Sequence, residues 1–201
     1  MSETSKCRER LRKYCVGYGL DVGYGGDPIV PSAITMDMPT PYTKVGPGAP
    51  LNLGGDARDL KWFRDDVLDY VYSSHLLEDY IEDDMKTALM EWLRVIKPEG
   101  HLILYCPVEA VYRKHCDKAG EPYNLSHKYK DFNLDFVKRL LKELGIKHAI
   151  AHENPLVDDY SFEIVIKKKG AYGGVNTKGR GNCGLSLVKN LLRRISPNKN
   201  M

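Results

Sequence analysis

No stretch of this 201-residue chain approaches the roughly 20 consecutive apolar residues needed to cross a bilayer. No two cysteines stand in CxxC spacing. The five, Cys7, Cys15, Cys106, Cys116 and Cys183, are odd in number and scattered. That pattern predicts reduced thiols rather than a disulfide framework or a cysteine zinc site. Nor do His115-Cys116 or His148 and His152 have nearby ligands to complete a set, so no metal is expected. The opening MSETSKCRERLRKYC has basic residues without an apolar stretch behind them, unlike a secretory signal, and a cytoplasmic setting is expected. The Asn124-Leu125-Ser126 sequon is then not expected to be glycosylated. The phosphate-binding pattern G-x-x-x-x-G-K-[ST] is missing, which removes the usual P-loop nucleotidases.

Acidic residues stop at Glu163, and nine of the 30 Lys and Arg follow it. Before that point the 27 Asp and Glu outnumber the basic residues, although the whole chain is +3. A mildly acidic body argues against a nucleic-acid groove across the main domain. Any polyanion contact would come from the tail.

What is present is ordinary globular material: 42% apolar and 28% charged residues. Val16–Val22, Ala33–Met36, Leu51–Leu53, Asp69–Ser74, His101–Cys106, Ile146–Ala151 and Tyr160–Lys168 read as strands. Helices are predicted over Glu3–Tyr14, Glu82–Ile96 and Leu134–Leu144, the second stopped by Pro98 and Gly100, the third by Gly145. Strands alternating with helices imply an α/β fold, a mostly parallel, doubly wound sheet covered on both faces. Residues 1–168 read as the domain. Residues 169–201 read as a Gly-rich basic tail with a short amphipathic helix over Leu185–Ile195. The lysine run Lys167–Lys169 reads as a solvated strand end.

The chemistry-bearing residues sit at strand ends. Asp21-Val22-Gly23-Tyr24-Gly25-Gly26 closes the first strand with an acid and a glycine turn. Glycine there allows a sharp turn and close approach of a ligand to the main chain. Asp37 ends the second strand, where an acid can accept both hydroxyls of a ribose. Asp56 and Ala57 follow the third, and Ser73-Ser74-His75 close the fourth, at the carboxyl edge where open α/β sheets bind ligands. His127 lies in the long segment after the fifth strand and reads as a solvated residue or an acceptor-side lid group.

Together these residues resemble the class I S-adenosylmethionine-dependent methyltransferases, in their small type 11-like branch. The resemblance runs through Gly19–Gly26, Gly55–Leu60, Asp69–Glu78 and Trp92–Leu102 and covers about residues 13–168. It implies a Rossmann-like, seven-stranded sheet whose last strand, Tyr160–Lys168, is antiparallel. It implies S-adenosyl-L-methionine as cofactor, with Asp21, Gly23, Tyr24, Gly25 and Ser73 at its methionine end, Asp37 at the ribose, and Asp56 with Ala57 at the adenine. His75 and His127 are the candidate bases.

Two departures stand out. The family's third turn glycine falls at Asp27 here, and only residues 27–32, with Pro28 and Pro31, separate the turn from the second strand. A parallel crossover ordinarily takes a dozen or more residues and a helix. The proline-rich stretch Met38–Pro50 likewise replaces the family's next helix. A nicotinamide dehydrogenase would want G-x-G-x-x-G opening a helix, which Val30-Pro31 refuses. The Asp/Asn-Pro-Pro-Tyr signature of base amino-methylating enzymes is missing, Ser73-Ser74-His75-Leu76 standing in its place, which argues against DNA. The sequence therefore predicts methyl transfer to a small-molecule, glycan or lipid-precursor acceptor. The rival is a non-catalytic binding module of the same fold. The basic tail is expected either to dock on the acidic body or a second subunit, or to hold an anionic membrane surface.

Overall fold

The computed structural model describes residues 2–38 and 50–171. Seven strands form one sheet: β1 (Gly19–Val22), β2 (Ile34–Asp37), β3 (Leu53–Gly54), β4 (Leu68–Ser74), β5 (Ile96–Pro107), β6 (His148–Val157) and β7 (Ser161–Lys168), in the spatial order 3-2-1-4-5-7-6. β1 through β5 run parallel to one another, and β7 runs antiparallel to β5 and β6. The expected doubly wound sheet with an antiparallel last strand is what the chain forms.

Alternation along the strands builds two cores, because successive side chains leave a strand on opposite faces. On one face Val71, Leu102, Leu104, Ile164 and Ile166 pack under α2 (Glu82–Val95) and α4 (Leu134–Leu144). α2 turns Met85, Ala88, Leu89, Trp92 and Leu93 inward at helical spacing, and its acidic first turn, Glu82 to Asp84, complements the helix dipole. α4 opens on Asn133, whose Oδ1 accepts from Phe136 N at 2.9 Å, and closes on Gly145 at φ +65°. On the other face Tyr70, Tyr72, Ile103, Tyr105 and Val165 pack under Cys7 and Leu11 of α1 (Glu3–Leu11) and under Ile29.

Several sequence expectations shift. α1 ends at Leu11 and tightens into a single 3₁₀ turn, Arg12–Tyr14. Val16 and Tyr18 lie exposed outside β1, whose ladder begins at Gly19. A helix not read from the sequence, α3 (Glu109–Ala119), follows β5. Lys168 is not solvated: it is 2% exposed, and its Nζ donates to Asp66 Oδ1 at 2.5 Å and Ile96 O at 2.6 Å. Residues 23–33, between β1 and β2, contain no helix, and α1, which precedes β1, covers this part of the sheet instead. Most of the Met38–Pro50 loop, and the Leu185–Ile195 helix expected in the tail, lie outside the described residues.

The registers Val22↔Met36, Val22↔Ser73 and Ser74↔Tyr105 bring the carboxyl ends of β2, β1, β4 and β5 to one edge of the sheet. There the strand order reverses, between β1 and β4, opening the crevice in which such sheets hold ligands.

Candidate active site

The glycine turn lies at this switch point. Gly23 N donates to Met36 O at 2.8 Å, and Gly23, Gly25 and Gly26 all take positive φ. Gly25 N donates to Asp37 Oδ2 at 3.1 Å, and Asp37 Oδ1 accepts from Met38 N at 2.7 Å. The turn and the second-strand acid, found separately in the sequence, are thus one structure. Among the described residues, a side chain added at Gly25 would meet nothing closer than 4.0 Å. The backbone is therefore open to a ligand at that position.

Asp21 lies beneath the turn and is fully buried. Its Oδ2 accepts from Ile29 N at 2.7 Å, while Oδ1 has no hydrogen-bond partner among the described residues. Burial pushes its carboxyl up to about 8. Tyr24 is buried too, its hydroxyl raised by burial and by Asp37 and Asp21. Ser73 Oγ and Ser74 Oγ, at the end of β4, are buried without partners.

Asp56 and Ala57 belong to a separate network. Both Asp56 oxygens accept from Arg58, whose guanidinium holds the carboxyl below its usual range and also pairs with Asp84 at 2.6 Å. Ala57 O accepts from the buried indole of Trp92 at 2.8 Å. Beside them stands a residue the sequence reading missed: Trp62, 61% exposed, with Cζ2 3.7 Å from a side-chain position on Gly55.

His75 and His127 come together, which their separation of 52 positions did not show. His75 takes φ +50°, a strained conformation for a non-glycine residue at the strand end. Its Nε2 lies 3.3 Å from Ser161 Oγ and 3.4 Å from Glu3 Oε2, and its Nδ1 lies 3.4 Å from Glu78 Oε1. Burial pulls the imidazole down to about 4. His127 is not solvated: its side chain is 4% exposed, with Nδ1 2.6 Å from Glu109 Oε2 and Nε2 3.9 Å from the same Glu78 Oε1. Glu78, Glu109 and Glu3 were missed. The i,i+3 step from His75 to Glu78 was the signal available for the first of them. A separate cleft of about 310 Å³, lined by Lys13, Tyr14, Asp69, Lys97 and His101, lies at the opposite edge of the sheet and reaches none of these groups.

The methyltransferase-domain family matches residues 41–104. A protein from Pyrococcus horikoshii OT3 superposes with a TM-score of 0.61 at 20% identity, over 82% of this chain and 89% of that one. An S-adenosylmethionine-dependent methyltransferase from Archaeoglobus fulgidus gives 0.59 at 18% identity, over 82% and 94%. The family match spans under a third of the chain. No curated protein gives a significant sequence match. At such identities the structural likeness shows the fold alone, a Rossmann-like α/β sheet of the kind found in methyltransferases. No helix among the described residues is long and apolar enough to cross a membrane.

The described residues suit the donor that the sequence resemblance implies, S-adenosylmethionine. An unflanked Gly25 backbone, an Asp37 carboxylate at the strand end, and a buried acid with one oxygen unpaired form a polar cradle at the switch point.

Proposed function

We propose that this chain is an S-adenosylmethionine-dependent methyltransferase that moves a methyl group onto a hydroxyl of a small-molecule, glycan or lipid-precursor acceptor, with His75 as the base. In this reading Gly23, Tyr24 and Gly25 carry the methionine end of the cofactor, with Asp21 beneath and Ser73 across from it. Asp37 accepts from the ribose hydroxyls, and Asp56 with Ala57 borders the adenine. The donor's sulfonium supplies a methyl group already activated for displacement. The chain's own part is then to align the acceptor, which supplies up to about 7–11 kcal/mol of barrier reduction, and to take its proton.

The observation that carries the reading is the placement of His75. It directly follows the β4 edge, and its neighbour Leu76 packs on Gly23 of the turn, so imidazole and cofactor cradle share one wall. A base is needed for a hydroxyl and not for a neutral amine, and the pair of imidazoles favours the former. Glu3 and Glu109, the carboxylates beside the two histidines, oppose a polyanionic acceptor such as DNA. Residues 1–168 form the catalytic unit in this reading, in a cytoplasmic setting, with the basic tail as an accessory segment.

The test is S-adenosylhomocysteine production against pooled metabolites and glycans. His75→Ala is expected to lose about 10²–10⁴-fold in turnover while retaining S-adenosylhomocysteine binding. Turnover at the wild-type level in His75→Ala removes the base assignment.

A further inference from the structure

We propose that Glu78 is a relay residue: its Oε1 joins the two imidazoles, so that a proton taken from the acceptor at His75 is delivered to the His127–Glu109 pair. This deepens the preceding reading and rests on His75 as the base.

The geometry is a chain of four groups from four places in the fold. His75 Nδ1 lies 3.4 Å from Glu78 Oε1, and the same oxygen lies 3.9 Å from His127 Nε2. His127 Nδ1 is 2.6 Å from Glu109 Oε2, and Arg113 Nε pairs with the other Glu109 oxygen at 2.7 Å. Both gaps at Glu78 exceed hydrogen-bond length, and contacts of this kind tighten when a substrate is seated. Glu78 is 1% exposed, and among the described residues neither carboxyl oxygen has a hydrogen-bond partner beyond a contact with the Cys106 thiol, an expensive state for a group with only a packing role.

The electrostatics agree with the direction of transfer. Burial raises the Glu78 carboxyl well above its usual range, so that Oε1 can carry a proton and accept another hydrogen bond as a hydroxyl does. His75, pulled down by burial, is a poor place for the proton to stay. His127 faces a carboxylate that is itself paired with Arg113, so the relay ends beside a charged partner. The remaining groups facing His75 and Glu78 are Glu3 and Lys6 from α1, Cys106 from β5, Ser161 from β7, and the neighbouring Asp79.

The step balances. The acceptor oxygen forms its bond to the methyl carbon as the carbon–sulfur pair withdraws to sulfur. The hydroxyl proton goes to His75 Nε2, the proton on His75 Nδ1 goes to Glu78 Oε1, and the proton on Glu78 Oε1 goes to His127 Nε2. The net product is a His127 imidazolium beside the Glu109 carboxylate.

The experiment uses the full chain with ¹⁵N-labelled histidine and bound S-adenosylhomocysteine, titrated by NMR, alongside turnover against the pooled acceptors. Glu78→Gln, an uncharged near-isostere, is expected to move the titration midpoint of His127 and to cut turnover by at least about 10²-fold without changing S-adenosylhomocysteine affinity. Glu78→Asp, which still carries a proton, is expected to restore part of the rate. An unmoved His127 midpoint in Glu78→Gln overturns the relay whether or not an acceptor is found. So does a wild-type pH–rate profile in Glu78→Gln, or an equal loss in Glu78→Gln and Glu78→Asp together with weakened S-adenosylhomocysteine binding. Wild-type turnover in His75→Ala instead defeats the underlying base assignment, which keeps the two failures distinct.

Discussion

Gly23 and Leu76 touch across the switch point of the sheet: a Cβ placed on Gly23 would stand 2.9 Å from Leu76 Cδ2. The first-strand turn is therefore closed against the segment that carries His75. Gly25, two residues on, has equally positive φ but open space around it.

The two glycines separate folding from binding. Gly23→Ala combines left-handed strain, roughly 1–2 kcal/mol, with a clash, and thermal unfolding should show a loss of about 2 kcal/mol or more. Gly25→Ala carries the strain alone. It should unfold within about 1–2 kcal/mol of wild type yet bind S-adenosylhomocysteine far more weakly by calorimetry. Intact affinity in Gly25→Ala would place the cofactor elsewhere.

Asp37 is the sharpest test of the cradle. A carboxylate accepting from two ribose hydroxyls gains about 1.5–3 kcal/mol for each charge-assisted bond. Asp37→Ala should therefore weaken S-adenosylhomocysteine by roughly 10-fold to 150-fold or more. Asp37 also accepts from Gly25 N and Met38 N, so Asp37→Asn, which keeps one acceptor oxygen, should fall between mutant and wild type. Equal affinity in all three proteins would reject the ribose assignment.

Much of this was legible in the chain. Buried parallel strands such as His101–Cys106 are continuous apolar runs, and the turn glycines and strand-end acids are fixed by local backbone geometry. α3 was not legible because its sequence, EAVYRKHCDKA, buries only Glu109 and Cys116, which leaves no apolar stripe to read. The same cause hid the acid–histidine cluster. Glu78 and Glu109 look like surface acids until tertiary packing sets β4, α3 and the His127 segment together, and Lys168 was misread for that reason as well. Asp56 was recognisable as a turn acid, but its capture by Arg58 depends on side-chain reach rather than on spacing.

Trp62 should report cofactor binding directly. The chain has two tryptophans, Trp62 exposed beside Gly55 and Trp92 fully buried. If Trp62 walls the adenine, S-adenosylhomocysteine should change the emission of wild type and leave that of Trp62→Phe flat. Aromatic stacking contributes about 0.5–1.5 kcal/mol, so Trp62→Ala should weaken binding roughly 2-fold to 10-fold. A full emission change in Trp62→Phe would assign the signal to Trp92 and remove the wall.

Two buried groups should bend the pH dependence of stability in opposite directions, offsetting each other below about pH 6.5 and leaving the carboxyls alone above it. Burial raises Asp21 to about 8, so between an unfolded value near 4 and that point the folded chain holds a proton that the unfolded chain has released. Stability therefore declines as pH rises through this window and levels off above it. His75 works the other way. Its folded value of about 4 lies below the unfolded 6.5, so the unfolded chain binds the extra proton and stability declines as pH falls from 6.5 toward 4. Glu78, also raised by burial, adds to the loss on the alkaline side. Thermal melts between pH 6.5 and 8, where His75 is silent, isolate the carboxyls. Asp21→Asn keeps an acceptor oxygen for Ile29 N and cannot ionise, so its melting temperature should decline less steeply than that of wild type across this range. Parallel slopes would mean that Asp21 is already ionised in the folded chain, which requires a partner for the buried Oδ1.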